Sequence, residues 1–79
     1  MDSLVRNYQF KDFSEALAFV NAVGGIAETL NHHPDILLHD WNQVTITSLT
    51  HDAGDTITSK DHELIEQIDS TFQKLGNTL

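Results

Sequence analysis

Histidines and carboxylates are concentrated in the stretch from Glu28 to Pro34, at the end of a predicted helix. Glu28 and His32 are four residues apart, so we expect them to share one helical face. Pro34 ends the helix, because the residue before a proline is forced out of the α region, and we expect His33 to point away from His32. Imidazoles exchange protons near neutral pH. Two rings in different surroundings are therefore candidates for acid and base catalysis.

A third histidine, His51, ends the last predicted strand, where it could open onto the same site. Three imidazoles in one place indicate acid and base chemistry. The alternatives are that the histidines are merely exposed, or that they hold zinc. Metal ligands usually follow spacings such as H-x-x-x-H or E-x-x-H, which are absent, so we predict no metal site. Asp52 and Asp61 could orient an imidazole, or could serve only as charge partners of a helix dipole.

The hydrophobic pattern predicts the elements that must position these side chains. Period-two alternation predicts a strand over residues 4–10 and a hairpin over residues 36–50. Helical spacing predicts a helix over residues 13–31, and a second helix that Thr58 caps and Gly76 ends. The order strand, helix, strand, strand, helix predicts an α+β fold. This would be a two-layer sandwich, in which an antiparallel sheet of about three strands carries both helices on one face.

Some residues are interpreted without a catalytic role. The pair Gly24-Gly25 lowers helix propensity, which indicates close packing of another element against the first helix. Trp41 lies in the predicted hairpin turn, where packing on a neighbour is the simpler interpretation than stacking on a flat ligand. His39 and His62 have no carboxylate at a favourable spacing, so we interpret both as surface residues.

Composition limits the classes of function that this chain can have. Its 79 residues form one predicted domain, 1–79, whose core must be thin, so a partner subunit would help. Twelve acidic and four basic side chains give a net charge of −8, which disfavours direct binding to nucleic acid or to anionic lipid. No cysteine, no leader sequence and no apolar run of membrane length are present, so we expect a cytoplasmic protein without membrane contact.

The motifs together resemble the pterin-4a-carbinolamine dehydratases, over about Leu4 to Ile68. A lone His-His-Pro would carry little weight, whereas the ordered set is specific. The motifs are Ala27-Glu28-x-x-Asn31-His32-His33-Pro34-Asp35, Asn42-x-Val44-x-Ile46, Thr50-His51-Asp52-Ala53-Gly54 and Thr58-x-x-Asp61.

This resemblance implies a dehydratase that eliminates water from a 4a-hydroxytetrahydropterin to give the quinonoid dihydropterin, without metal or organic cofactor. It also implies a homodimer or homotetramer. By resemblance, the catalytic and supporting residues are His32, His33, His51, Glu28 and Asp61. The residues that would contact the pterin are His32, His33, Pro34, Thr50, His51, Asp52 and Ala53.

The chain departs from the family pattern in several places. It begins at what would be the second strand of the family, and Ile36 stands where the family often carries an aromatic residue. One extra residue lies between Pro34 and Asn42, and residues 55–57 replace a shorter Gly-Leu segment. These departures keep open an alternative function, which is a non-catalytic dimerisation or binding module on the same fold, resembling the transcriptional cofactors of the family.

Overall fold

Three strands and two long helices follow one another in the predicted order, and the α+β fold class is confirmed. The computed structural model describes residues 2–76, so Met1 and residues 77–79 of the predicted domain lie outside the described residues. The elements are β1 (Leu4–Gln9), α1 (Phe13–Leu30), β2 (Asp35–His39), β3 (Gln43–Ser48), a short 3-10 helix (His51–Ala53) and α2 (Ser59–Gly76).

The sheet is antiparallel, with β3 in the centre and β1 and β2 on either side. Val44 is the register partner of both Tyr8 in β1 and Leu38 in β2. Alternation along β3 buries Val44, Ile46 and Ser48, while the residues between them are only half-buried. One face of the sheet therefore carries the core, as period-two patterning requires.

Both helices pack on that face and complete the core. Their buried apolar residues recur at spacings of three and four, which place them on one side of each helix. Four aromatic rings join the layers, with neighbouring ring centroids 4.9 to 6.0 Å apart. Such tilted and edge-to-face contacts add stabilisation to the buried area of the rings. The four rings are Tyr8, Phe10, Phe19 and Phe72.

The ends of α1 are set by local hydrogen bonds. Asp12 caps the start, because its side chain accepts from the Glu15 amide at 2.8 Å. At the other end Asn31 adopts a left-handed conformation with φ 51°, and the His32 amide donates to the Ala27 carbonyl at 3.0 Å. This six-to-one bond is the Schellman closure of a helix. The chain therefore turns sharply between α1 and the two adjacent histidines.

Two interpretations of non-catalytic residues were wrong. A Cβ atom added to Gly24 or Gly25 would meet nothing within 4 Å, so among the described residues no element packs closely there. Trp41 is 59% exposed rather than packed. It follows Asp40 in the hairpin turn, and both residues have positive φ values, of 55° and 50°. Three residues separate the register partners His39 and Gln43, and the positive φ values let the chain reverse within this short loop, with the Trp41 side chain outside the core.

Candidate active site

An open pocket of about 260 Å³ lies where three elements meet: the end of α1, the end of β3 and the start of α2. The strand and the helix ends bring together residues that are far apart in the sequence. The lining residues are Asn31, His32, His33, Leu49, Thr50, His51, Asp52 and Lys60. The three histidines that were predicted as candidates thus line the same pocket.

Beneath the pocket, Asp61 is fully buried and accepts four hydrogen bonds. Its Oδ1 accepts from His32 Nε2 at 2.7 Å and from the Ser48 hydroxyl at 2.5 Å. Its Oδ2 accepts from the Thr50 hydroxyl at 2.7 Å and from the Thr58 amide at 2.9 Å. A carboxylate offers about four acceptor positions, so this one is fully satisfied.

The surroundings of Asp61 keep its carboxyl group charged. Burial by itself raises the pKa of the Asp61 carboxyl, because a charge is costly in a medium of low polarisability. The hydrogen bonds from His32, Ser48, Thr50 and the Thr58 amide outweigh burial and hold the pKa well below its ordinary value of 3.8. A fixed negative charge therefore lies against the ring of His32, whose side chain is only 12% exposed.

The expected pairing of Glu28 with His32 was wrong. Glu28 instead bonds His33, through Nε2 of the ring, on the exposed side of the helix end. The left-handed Asn31 explains why Glu28 contacts His33 and not His32, because it ends the helical path before His32. His32 is thereby turned inwards to Asp61, and His33 takes the position beside Glu28. The two rings do point in different directions, as expected.

His51 lines the pocket from the start of the 3-10 helix. Its side chain is 81% exposed, and its Nδ1 lies 2.7 Å from Oδ1 of Asp55. Each of the three pocket histidines therefore has one ring nitrogen on a carboxylate. The hydrogen bond of one nitrogen determines which tautomer a neutral ring adopts, so in each neutral ring the other nitrogen keeps the lone pair.

Of the other predicted site residues, some line the pocket and some do not. Thr50 and Asp52 line the pocket, whereas Pro34 and Ala53 are not among its lining residues. His39 was interpreted as a surface residue without a partner, which was wrong. Its Nδ1 lies 2.8 Å from Oδ2 of Asp40, the next residue along the chain.

Three lining residues were missed: Asn31, Leu49 and Lys60. Lys60 had a signal in the sequence, because a lysine in the first turn of a helix opposes the helix dipole and calls for another explanation. Ser48 was missed as well. It faces the core in β3, where the alternation would favour an apolar residue, and it donates to Asp61 instead.

Within residues 2–76, no group of three histidine, cysteine, aspartate or glutamate side chains is arranged to hold a metal ion. Neither helix in the same part is long and apolar enough to cross a membrane.

Fold and pocket together define a class of protein: a small α+β sandwich whose open pocket is lined by histidines that are each held by a carboxylate. The model of the family described as pterin 4 alpha carbinolamine dehydratase matches residues 1–71. The chain belongs to this family, and the resemblance seen in the motifs is confirmed.

Relatives with curated sequences carry the same family name provisionally. A pterin-4-alpha-carbinolamine dehydratase, provisionally so named, from Thermomicrobium roseum is 48% identical over 67 residues, which are 85% of this chain and 70% of that protein. One from Gloeobacter violaceus is 50% identical over 62 residues, 78% of this chain and 65% of that protein. The chain thus spans about two thirds of the length of these relatives.

Solved structures share the fold. A transcriptional coactivator/pterin dehydratase from Brucella melitensis superposes with a TM-score of 0.79 at 31% identity, over 86% of this chain and 70% of that one. A pterin dehydratase-like protein identified as a RuBisCO assembly factor in the alpha-carboxysome gives a TM-score of 0.71 at 20% identity, over 86% and 76%. At that identity the second comparison shows the fold alone.

Proposed function

We propose that this protein is a dehydratase that eliminates water from a 4a-hydroxytetrahydropterin to give the quinonoid dihydropterin. The observation that carries the proposal is the convergence of His32, His33 and His51 on one pocket, each with a ring nitrogen held by a carboxylate. Membership of the pterin dehydratase family supplies the substrate class. Histidine acid and base groups are sufficient for such an elimination.

The reaction requires two proton transfers and one bond cleavage. An acid delivers a proton to the 4a hydroxyl group, which leaves as water when its bond to carbon breaks. A base removes the proton of the neighbouring ring nitrogen, whose electron pair forms the new double bond to that carbon. Each pocket histidine can serve as either partner, because its hydrogen bond to a carboxylate persists in both protonation states.

Among the three rings, His32 is held most firmly. It is nearly buried, and the carboxylate that it contacts is itself fixed by Ser48, Thr50 and Thr58. A catalytic group whose position is set before substrate binds loses little free energy to ordering during the reaction. We therefore assign one of the two proton transfers to His32, with Asp61 as its support. The other transfer is assigned to His33 or His51.

The pterin itself would lie across the pocket mouth. In this proposal Thr50 and Asp52 contact it directly, as lining residues. Contacts from Pro34 and Ala53 are assigned on the family resemblance alone. Glu28 supports His33 by the hydrogen bond described above. Leu49 offers the apolar surface that a flat ring requires, and Lys60 offers a cation to the polar atoms at its edge.

A dehydration assay tests the proposal directly. Substrate is generated in the assay from a tetrahydropterin and an oxygenating enzyme, and product formation is followed by absorbance with and without the protein. We expect His32→Gln, His33→Gln and His51→Gln each to lower the rate by about 10²-fold or more. The matched control is His62→Gln, an exposed histidine of α2 outside the pocket, which should keep the wild-type rate.

Two results of this assay would contradict the dehydratase proposal. If the wild-type protein does not accelerate dehydration at all, or if all three pocket variants keep the wild-type rate, the dehydratase proposal is wrong. Treatment of the protein alone with a strong chelator, which is removed before the assay, should leave the rate unchanged, since the proposed chemistry uses imidazoles alone. Loss of activity with chelator, together with one zinc per chain by elemental analysis, would also contradict it.

A binding module is the second candidate function, and one observation favours it. Phe13 and Leu17 lie one turn apart on α1, and both are more than 40% exposed. Exposed large apolar residues that adjoin one another are typical of contact surfaces. The Brucella melitensis protein is described as a coactivator as well as a dehydratase. Absence of turnover in the assay above, with an intact fold, would favour this second function.

A further inference from the structure

The loop that follows β3 carries a carboxylate whose position suits the proposed reaction, and the inference below rests on that proposed function. We infer that Asp55 is a positioning residue for His51: it holds the ring by Nδ1, so that Nε2 is presented to the bound substrate. Asp55 lies in the segment where the chain departs from the family pattern. The role follows from the contact between Asp55 and His51.

The contact itself is short and directional. His51 Nδ1 and Asp55 Oδ1 are 2.7 Å apart, which is the distance of a charge-assisted hydrogen bond. A carboxylate only accepts, so the ring nitrogen must carry the proton. In neutral His51 the proton is then on Nδ1, and Nε2 keeps its lone pair for a base. In the protonated ring the same contact remains, and Nε2 carries the proton that an acid would donate.

The backbone of the loop holds Asp55 in this place. Thr50 and Thr56 form an isolated antiparallel bridge that closes the loop, with N to O distances of 2.8 and 3.4 Å. Gly54 is left-handed with φ 81°, and its amide donates to the His51 carbonyl at 3.0 Å. Asp55 is left-handed too, with φ 56°. Glycine would adopt that conformation at a lower free-energy cost. The backbone conformation alone therefore does not favour an aspartate at this position.

His51 depends on Asp55 more than the other pocket histidines depend on their partners. His32 is nearly buried, so packing restricts its ring in addition to the bond with Asp61. The His51 side chain is 81% exposed. Among the residues that the structure describes, Asp55 is the one side chain hydrogen-bonded to it. Without that bond the ring would rotate freely and exchange between tautomers.

A matched control is present in the same chain. Asp40 is also an aspartate with positive φ, of 50°, and it also contacts Nδ1 of a histidine, His39, at 2.8 Å. This second pair lies at the far end of β2, about 13 Å along the strand from its start near the pocket. Substitutions at Asp40 therefore reproduce the backbone change and the loss of the bond to Nδ1, without altering the pocket. His39 keeps a second bond, because its Nε2 lies 2.8 Å from the Thr45 hydroxyl oxygen.

The experiment compares Asp55→Gly and Asp55→Asn with Asp40→Gly and Asp40→Asn. Both replacements tolerate a left-handed backbone, so the fold should be retained. We expect Asp55→Gly to lower kcat by about fivefold, the factor that corresponds to the upper range for an exposed ion pair, with KM within about twofold of wild type. Asp55→Asn should lose less, because its amide oxygen still accepts from Nδ1. Both Asp40 variants should keep the wild-type kcat.

Nitrogen-15 NMR of the histidine rings gives a readout that does not depend on turnover. Wild-type His51 should be the Nδ1–H tautomer when neutral, and Asp55→Gly should show a mixture of tautomers. An unchanged His51 spectrum in Asp55→Gly, or an unchanged kcat in an active protein, would overturn the inference and leave the dehydratase proposal standing. A wild-type protein without any turnover would overturn that proposal, and with it the catalytic role of Asp55.

Discussion

At the scale of single residues, the pocket depends on one buried charge. Asp61 is fully buried and still ionised, because four donors surround its two oxygens. Those donors come from α1's end, from β3 and from the start of α2. A buried charge is tolerated only where it is fully paired, so removal of the charge leaves the donors without their acceptor.

The first prediction at this scale concerns Asp61→Asn. The variant should lower the free energy of unfolding at pH 7 by about 3 kcal/mol, the usual cost of breaking a buried charged pair. Urea unfolding measures this change. Asp35→Asn, which removes an exposed carboxylate at the start of β2, is the control and should stay within about 0.5 kcal/mol of wild type. Equal effects of the two substitutions would show that the Asp61 network does not stabilise the fold.

The second prediction concerns the pH dependence of the same group. The pKa of Asp61 is lower in the folded protein than its ordinary value of 3.8. The unfolded chain therefore binds this proton more readily, and the stabilisation is complete above about pH 5 and is lost as the pH falls below about 4. Wild type should lose more free energy of unfolding between pH 7 and pH 3 than Asp61→Asn does. A larger loss in the variant would contradict the direction of the shift.

At the scale of elements, the end of α1 decides which carboxylate each histidine meets. Asn31 is left-handed, and the closing bond from the His32 amide to Ala27 holds the turn. A helix continued for one more residue would have kept His32 above Glu28. The turn instead delivers His32 to Asp61, which is 29 residues away in the sequence.

The third prediction tests this turn. Asn31→Ala should destabilise the protein by about 1 kcal/mol, since alanine is disfavoured in the left-handed conformation. It should also lower activity, because the turn positions both His32 and His33. Asn31→Gly is the control: it removes the same side chain but suits the left-handed backbone, so it should retain stability. If both variants lose the same stability relative to wild type in thermal unfolding, the side chain of Asn31 matters and its backbone conformation does not.

At the scale of the whole molecule, the sheet and α1 leave surfaces uncovered. β1 and β2 are both edge strands of a three-stranded sheet, and each has one edge without a partner strand among the described residues. Such edges are usually covered in native assemblies. Phe13 and Leu17 are exposed on α1, whereas Val23 of the same helix is fully buried. An assembly could use the strand edges, the exposed face of α1, or both.

The fourth prediction is that the protein is a dimer or larger at micromolar concentration, as measured by sedimentation velocity. Leu17→Lys should weaken an assembly that uses the exposed side of α1. Val5→Lys, on the uncovered face of the sheet, is the matched control and should leave such an assembly intact. Val23 is unsuitable for this test, because a lysine there would enter the core. A wild-type protein that sediments as a monomer would contradict the prediction of assembly.

Much of this molecule follows from its sequence. Residues that alternate between apolar and polar can bury one face only as strands, and the helical spacing of Ala16, Phe19 and Val23 has the same consequence for α1. These are local, repetitive signals, so the order of elements and the α+β class were predictable. The family was predictable too, because its motifs are contiguous. The three candidate histidines were named from their residue type and from their places at the ends of predicted elements.

Only the tertiary structure decided which side chains of the site contact one another. Spacing predicted that Glu28 and His32 share a helical face. The left-handed Asn31 turns the chain, so that His32 contacts Asp61 and His33 contacts Glu28. The contacts of Asp61 with Ser48 join elements whose approach depends on the packing of both helices on the sheet. Periodicity reports which side of an element is buried. It does not report where a side chain points after an irregular turn, or which distant group it meets, because those depend on interactions between elements rather than within one.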